Sequence, residues 1–264
     1  MIPSALRESL TSLGSVLVAY SGGVDSAYLA YAAYRVLGAR SLAAIADSAS
    51  LPRAELDDAL ALADEAGFAV EVVRTDEFAR EDYLRNATDR CFHCKEALFD
   101  QVFPLAEARG FLHVALGTVT DDLGDVRPGL VSAKRRGARQ PLLEANMSKA
   151  DVRAAARAAG LRVWDKPQAA CLSSRVPHGT PVTLEALRRI ELAEDAVRRL
   201  GFSVVRVRHD GDHARVEIGT DELGGAVERC ADIEEAVRSA GYLDVTVDPR
   251  GYRQGGARLP VLET

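Results

Sequence analysis

Apolar residues along the chain gather in short runs that alternate with longer stretches of helical spacing. "SVLVAY" (15–20) is an apolar, β-branched run closed by "SGG", which predicts a buried strand. Residues 25–37, "DSAYLAYAAYRVL", predict a helix stopped by Gly38. "SLAAIA" (41–46) predicts a second strand, and 52–66 a helix with Pro52 in its first turn and Gly67 past its end. "FAVEVVR" (68–74) alternates as a third strand. Residues 95–110 predict a helix that Pro104 should kink or divide, and "HVALGT" (113–118) a fourth strand. Ser148 and Asp151 have the spacing of a capping box, opening a helix that ends at Gly160, and "LRVW" (161–164) reads as a short fifth strand. Ahead of all these, Ile2, Leu6, Leu10 and Leu13 recur at helical spacing and predict an amphipathic surface helix. That segment lacks a basic n-region and a small-residue cleavage site, so it does not read as a signal peptide.

Strands alternating with helices predict an α/β fold: an open, doubly wound parallel sheet covered on both faces, with its site beyond the carboxyl ends of the strands. Two stretches break the rhythm, a polar, Gly-rich, basic one at 120–141 and a proline-rich one at 165–183. Irregular stretches of that length in a compact domain are usually functional or disordered. Beyond the second come a helix (184–200), strands at 203–209 and 213–219, a helix (221–239) and a strand (243–247), a smaller α+β unit. The expected organisation is therefore a nucleotide-binding domain over 1–168, a hinge and active-site loop over 169–183, and a C-terminal α+β domain over 184–264.

Composition narrows the classes. The 264 residues are 47% hydrophobic and 27% charged, as in an ordinary globular protein, and the net charge of −6 argues against a dedicated nucleic-acid binder. No apolar run reaches membrane-spanning length, so no membrane partner is expected. Four cysteines in a chain this long do not make a disulfide framework; a cytoplasmic location, with thiols reduced, is the default expectation.

The strongest local motif is "AYSGGVDSA" (19–27). A strand ends, two glycines let the backbone turn tightly, and a helix begins whose free N–H groups face an anion. Ser21 and Ser26 can add hydroxyl donors to the backbone N–H groups of Gly22 and Gly23. Asp25 would repel phosphates unless a cation intervenes, so it predicts Mg²⁺ binding or a cap contact. The loop is not a Walker A loop, because it is shorter and has no lysine. It resembles the pyrophosphate (PP) loop of the N-type ATP pyrophosphatases, which adenylate a carboxyl or carbonyl oxygen and release pyrophosphate. The resemblance extends to "ADS" with Asp47 and Ser48, where the family often contacts adenine, and to "LGTVTDD" with Gly117, where it contacts the nucleoside.

"NATDRCFHCK", "DDLGDVRPGL", "DKPQAACLSSRVPHGTPVT" and "VVRVRHDGDHARVEI" together resemble the LarE sulfurtransferases, in order and over nearly the whole chain. These enzymes act in biosynthesis of the nickel-pincer nucleotide, the cofactor of lactate racemase. They use ATP to activate the carboxylates of pyridinium-3,5-biscarboxylic acid mononucleotide and replace oxygen by sulfur. One version sacrifices the sulfur of a single hinge-loop cysteine; another binds a [4Fe–4S] cluster on three. Cys91, Cys94 and Cys171 resemble the three-cysteine version, and Cys171 stands one residue nearer Arg175 than the sacrificial pattern has it. Thiolates suit zinc as well, so a structural Cys₃His site with His93 or His178 is the alternative.

The resemblance further implies catalytic roles for Cys171, Ser174, Arg175 and Asp25, with Arg175 stabilising charge on the adenylated carboxylate. Arg206 and Arg208, alternating on one strand and so sharing a face, are expected to bind the substrate phosphate. Glu194 matches a family acidic residue near the site, although a surface role on its helix is the competing reading. Asp121, Asp122, Asp125 and Arg127 would order their loop or hold Mg²⁺, and Cys230 reads as a buried small hydrophobe. The implied partners are a small mononucleotide substrate, further copies of the chain in a homo-oligomer, and a downstream nickel-inserting protein. A tRNA thiolase and a zinc-stabilised nucleotide-binding protein without turnover are the rival functions.

Overall fold

A computed structural model describes residues 2–124, 128–167 and 170–253. The chain forms two compact units, one from Met1–Arg80 with Asp89–Ala169, the other from Glu81–Thr88 with Ala170–Thr264.

The first unit begins α1 (Ser4–Leu13), β1 (Val16–Tyr20), α2 (Val24–Leu37), β2 (Ser41–Asp47), α3 (Arg53–Ala66) and β3 (Val70–Arg74). After α4 (Glu81–Leu84), which belongs to the other unit, it resumes with α5 (Arg90–Ala108), β4 (His113–Ala115), α6 (Pro128–Arg135), α7 (Pro141–Glu144) and α8 (Lys149–Ala158). The strands form a parallel sheet in the order β3-β2-β1-β4, with Val16 opposite Ser41 on one side and His113 on the other. Every residue of β1 is buried because both faces of the sheet are covered. Val16, Val18 and Tyr20 pack with Leu6 and Leu10 of α1, with α2, α3 and α8; Leu17 and Ala19 pack with Phe99 and Val102 of α5. Each valine, leucine and phenylalanine among them, fully buried, contributes about 1.5–3 kcal/mol. Strand order reverses between β1 and β4, and in open α/β sheets the crevice beyond such a reversal takes the ligand.

Several expectations need correction. Residues 161–164 are not a strand: Arg162–Asp165 is a 3-10 turn that buries Leu161 and Val163, with Arg157 stacked 4.7 Å from the Trp164 ring centre. A four-residue apolar run carries too little periodicity to separate the two states. β4 stops at Ala115 because the chain then pairs with Arg139: Leu116 N donates to Arg139 O and Arg139 N to Val114 O. The stretch 120–141 is not all loop, since it holds a 3-10 turn (Thr120–Gly124) and α6. α5 starts at Arg90, so Cys91 and Cys94 lie on the helix, and Pro104 does not divide it; Phe99, Val102 and Ala106 bury its face on both sides of the proline. The capping box forms as expected, with Ser148 Oγ accepting from Asp151 N and Asp151 accepting from Ser148 N.

The second unit contains α9 (Leu184–Arg199), β5 (Val205–Asp210), β6 (His213–Ile218), α10 (Leu223–Glu228), α11 (Cys230–Arg238) and β7 (Asp244–Val247). β5 and β6 are antiparallel, β6 and β7 parallel, and Val197, Phe202, Val207 and Ile233 lie in its core. The single helix expected over 221–239 is interrupted at Arg229, whose φ of −112° and ψ of 25° are not helical. Glu81–Thr88 joins this unit through polar contacts that the sequence does not announce. Asn86, at φ 55°, donates its side-chain amide to Pro177 O (2.8 Å) and Thr180 O (2.9 Å), and Val182 N donates to Leu84 O (2.8 Å). The irregular stretch from Ala170 is thereby clamped. Among the described residues no helix is long and apolar enough to cross a membrane.

Candidate functional site

The loop after β1 is shaped by two glycines and braced by two serines. Gly22 has φ +73°, and a Cβ there would stand 2.9 Å from Ala59 Cβ, so both conformation and space exclude a side chain. Gly23 is the N-cap of α2 and supplies no capping side chain, which leaves the first-turn N–H groups available to a ligand. Ser26 Oγ accepts from Ser21 N (3.1 Å) and donates to Gly23 O (3.1 Å). Its only proton is then used, so Ser21 Oγ, 3.0 Å away, is the donor of that pair. Ser26 is 6% exposed and acts as the internal brace, whereas Ser21 is exposed. Gly117 closes on this loop from the end of β4: a Cβ there would lie 2.8 Å from Ser26 N.

Asp25 is the charged member of the loop. Its Oδ2 is ion-paired to Lys149 Nζ at the start of α8, while Oδ1 is buried and accepts no hydrogen bond. Burial pushes the Asp25 carboxyl above its ordinary 3.8, against the pull of Lys149. Lys149 was not singled out by the sequence. The capping box marks the start of α8, but nothing local says that this start meets the start of α2. Lys149 N donates to Asp121 Oδ2 (2.8 Å) and Val119 N to Asp122 Oδ2 (3.0 Å), so both aspartates order the turn before and around the helix end. Asp125 and Arg127 lie outside the described residues. At the end of β2, Asp47 pairs with Arg53 (2.5 Å), and Ser48 Oγ lies 2.8 Å from Ser50 Oγ, which donates to the buried Glu77 (3.1 Å).

Cys91 and Cys94 stand three residues apart on the first turns of α5, hence on one face. Cys91 is exposed and Cys94 half-buried, and neither is in a disulfide, nor is Cys171 in the second unit. Among the described residues no group of three or more His, Cys, Asp or Glu side chains is arranged to hold a metal ion. His93 Nε2 lies 3.3 Å from Asp89 Oδ2, and His178 Nδ1 3.3 Å from Asn86 O. Cys230 is half-buried rather than buried and donates to Glu234 (3.5 Å); burial pushes its thiol up.

In the second unit Cys171 precedes a 3-10 turn (Leu172–Arg175) that is fixed from behind. Arg175, 2% exposed, makes a two-pronged pair with Glu194 (Nε to Oε1 2.8 Å, Nη2 to Oε2 3.0 Å). Its Nη1 donates to Ala170 O, Cys171 O and Ser174 Oγ (2.6, 3.0 and 3.1 Å). Glu194 is 0% exposed, which removes the surface reading, and also accepts from Val207 N (3.1 Å) and Arg198 (2.8 Å). Burial opposes both charges, but each partner prevails over it, holding Glu194 below its ordinary range and Arg175 above.

Arg206 and Arg208 do share one face of β5, opposite Glu217 and Arg215 on β6. Arg208 pairs with Glu217 (2.8 Å) and donates to Ser174 O (3.2 Å); Arg206 lies over the Tyr252 ring at 5.1 Å. Burial first, and then the neighbouring Arg175, push Arg206 below its ordinary value. Among the described residues, six guanidiniums (175, 198, 206, 208, 215 and 250) are linked here to four carboxylates (194, 195, 217 and 248), a surplus of positive charge.

No established family profile matches the chain. It is 43% identical over 252 residues to an uncharacterized protein of Synechocystis sp., covering 95% of this chain and 94% of that one. It is 35% identical over 254 residues to the pyridinium-3,5-bisthiocarboxylic acid mononucleotide synthase of Lactiplantibacillus plantarum, covering 96% and 92% of the two chains. An uncharacterized protein of Methanocaldococcus jannaschii is 24% identical over 238 residues, 90% of each.

Proposed function

The chain belongs to the LarE family, that of pyridinium-3,5-bisthiocarboxylic acid mononucleotide synthase, and from that premise we propose that it is a cytoplasmic ATP-dependent sulfurtransferase. Its substrate is a pyridinium biscarboxylate mononucleotide, and its product the corresponding thiocarboxylate. The observation that carries this reading is the loop at residues 21–26, closed by Gly117 and holding Asp25 against Lys149.

ATP lies with its phosphates on the N–H groups of Gly23 and the first turn of α2, and Ser21 Oγ becomes a further donor when its proton turns from Ser26 Oγ to a phosphate oxygen. The nucleoside extends toward Asp47, Ser48 and Gly117. The buried, unpaired Oδ1 of Asp25 fits a cation, and Mg²⁺ there offsets phosphate charge when bound. With Asp25 committed to the cation, the Lys149 ammonium is free to turn to a phosphate oxygen and serves as the lysine that the short loop lacks. A substrate carboxylate oxygen attacks the α-phosphorus, the bond to the bridging oxygen breaks, and pyrophosphate leaves. Arg206 and Arg208 hold the substrate phosphate, drawing on the surplus charge of their cluster. Arg175 and Glu194 act as positioning residues that fix the carbonyl of Cys171 and the hydroxyl of Ser174.

Three thiols outside any disulfide are a donor set suited to an iron–sulfur cluster. Held by Cys91, Cys94 and Cys171, a [4Fe–4S] cluster would supply the sulfur that replaces the activated oxygen as AMP departs.

The test has two parts. Pyrophosphate release from ATP should depend on the biscarboxylate mononucleotide; release without it, or none with it, would sink the adenylation reading. Protein purified without oxygen should contain iron and sulfide and lose both in Cys91→Ala, Cys94→Ala and Cys171→Ala but not in Cys230→Ala. A colourless protein holding zinc would overturn the cluster.

A further inference from the structure

Away from the phosphate loop, α1, α2 and α8 border an open cavity of about 340 Å³, at the small end of the range for small-molecule sites. Tyr28, Tyr31 and Arg35 form its wall on α2, at the spacing that puts them on one stripe. Arg7 faces them from α1, and Ile2, Ala155 and Ala159 supply apolar wall. Arg35 stands ten residues beyond Asp25, about 15 Å further along α2.

Three features of this wall point to a ligand. Tyr28 is 1% exposed, yet its hydroxyl has no hydrogen-bond partner, an arrangement native interiors avoid. Burial pushes that phenol up to about 12, so it is a donor at any physiological pH. The two guanidiniums have no carboxylate partner among the described residues, and the wall itself contains no acid. Arg35 is held 5.9 Å from the Tyr31 ring centre, which orients its fork.

We propose that this cavity is a second binding site, for a small organic anion. Its carboxylate or phosphate group lies between Arg7 and Arg35 and accepts the Tyr28 hydroxyl, and its apolar body packs on Ile2, Ala155 and Ala159. Both headgroups offer the planar or forked oxygens that guanidinium recognises.

The intact chain is titrated by calorimetry with phenyl phosphate and with benzoate, in saturating Mg²⁺ and ATP so that the phosphate loop is blocked. Saturable binding is expected, and the tighter of the two anions identifies the headgroup. Tyr28→Phe keeps the ring and should weaken binding about tenfold, the loss of one hydrogen bond to a charged group. Arg35→Gln should weaken it by more, and this variant and Arg7→Gln, both on exposed residues, serve where Tyr28→Phe melts early. Affinity unchanged in these folded variants overturns the proposal. So does phenol binding as tightly as the anions, or no saturable binding of either anion up to about 10 mM.

Discussion

Two ion pairs, one in each unit, use the same chemistry toward opposite ends. Asp25–Lys149 is partly open to solvent, at 23% and 34% side-chain exposure, and leaves one carboxylate oxygen without a partner. Arg175–Glu194 is sealed, at 2% and 0%, and both carboxylate oxygens are doubly engaged. A pair with a spare oxygen and access to water can exchange partners when a ligand arrives. A buried pair in which every nitrogen and oxygen has a partner holds its surroundings in place. The first suits the nucleotide site proposed above, the second a turn that holds a cysteine and a serine still.

The contrast can be broken most sharply at the sealed pair. Arg175→Ala leaves Glu194 buried with its principal partner gone and should destabilise the protein by about 3–5 kcal/mol, read as a lowered urea midpoint. A loss under about 1 kcal/mol would place the pair with exposed ones. At the open pair the effect should fall on turnover instead. Lys149→Met should cut pyrophosphate release about a hundredfold while moving the urea midpoint little. Equal activity in the variant would remove Lys149 from phosphate binding.

Gly117→Ala forces a methyl to within 2.8 Å of Ser26 N and should cost about 1–3 kcal/mol. A weakened affinity for ATP, measured by calorimetry, should accompany the loss, because the loop and the strand end move together.

The smallest effect is in pH dependence, where the pairs should show opposite signs. Glu194 is held below its ordinary 4.5, so its contribution is present above that pH and is lost as pH falls through its folded value. Asp25 is raised above 3.8, so it favours the folded state below 3.8, and this is lost as pH rises through its folded value. The stability of Asp25→Asn relative to the parent should therefore grow as pH rises above 3.8. A difference that stays flat or shrinks would show that Lys149 outweighs burial.

What the chain alone determined is what depends on local periodicity and turn chemistry. The positions of β1, β2, α2 and α3, the capping box at Ser148 and the glycines of the loop after β1 all follow from neighbours a few residues apart. The three cysteines and the Arg206–Arg208 alternation were legible as residue types at suggestive spacings, and so was the family resemblance, which alone pointed to Glu194. Tertiary structure decided which partners those residues take. Lys149 meets Asp25 across 124 positions of chain, and Asn86 clamps Pro177 and Thr180 across 91 and 94. It also decided that 161–164 would turn rather than extend, and that Glu194 would be interior rather than surface. The physical reason is range. Backbone propensity and side-chain spacing act within a turn or two of the chain. Charge pairing and burial depend on what folding brings within a few ångströms, and that neighbour is not written beside the residue it satisfies.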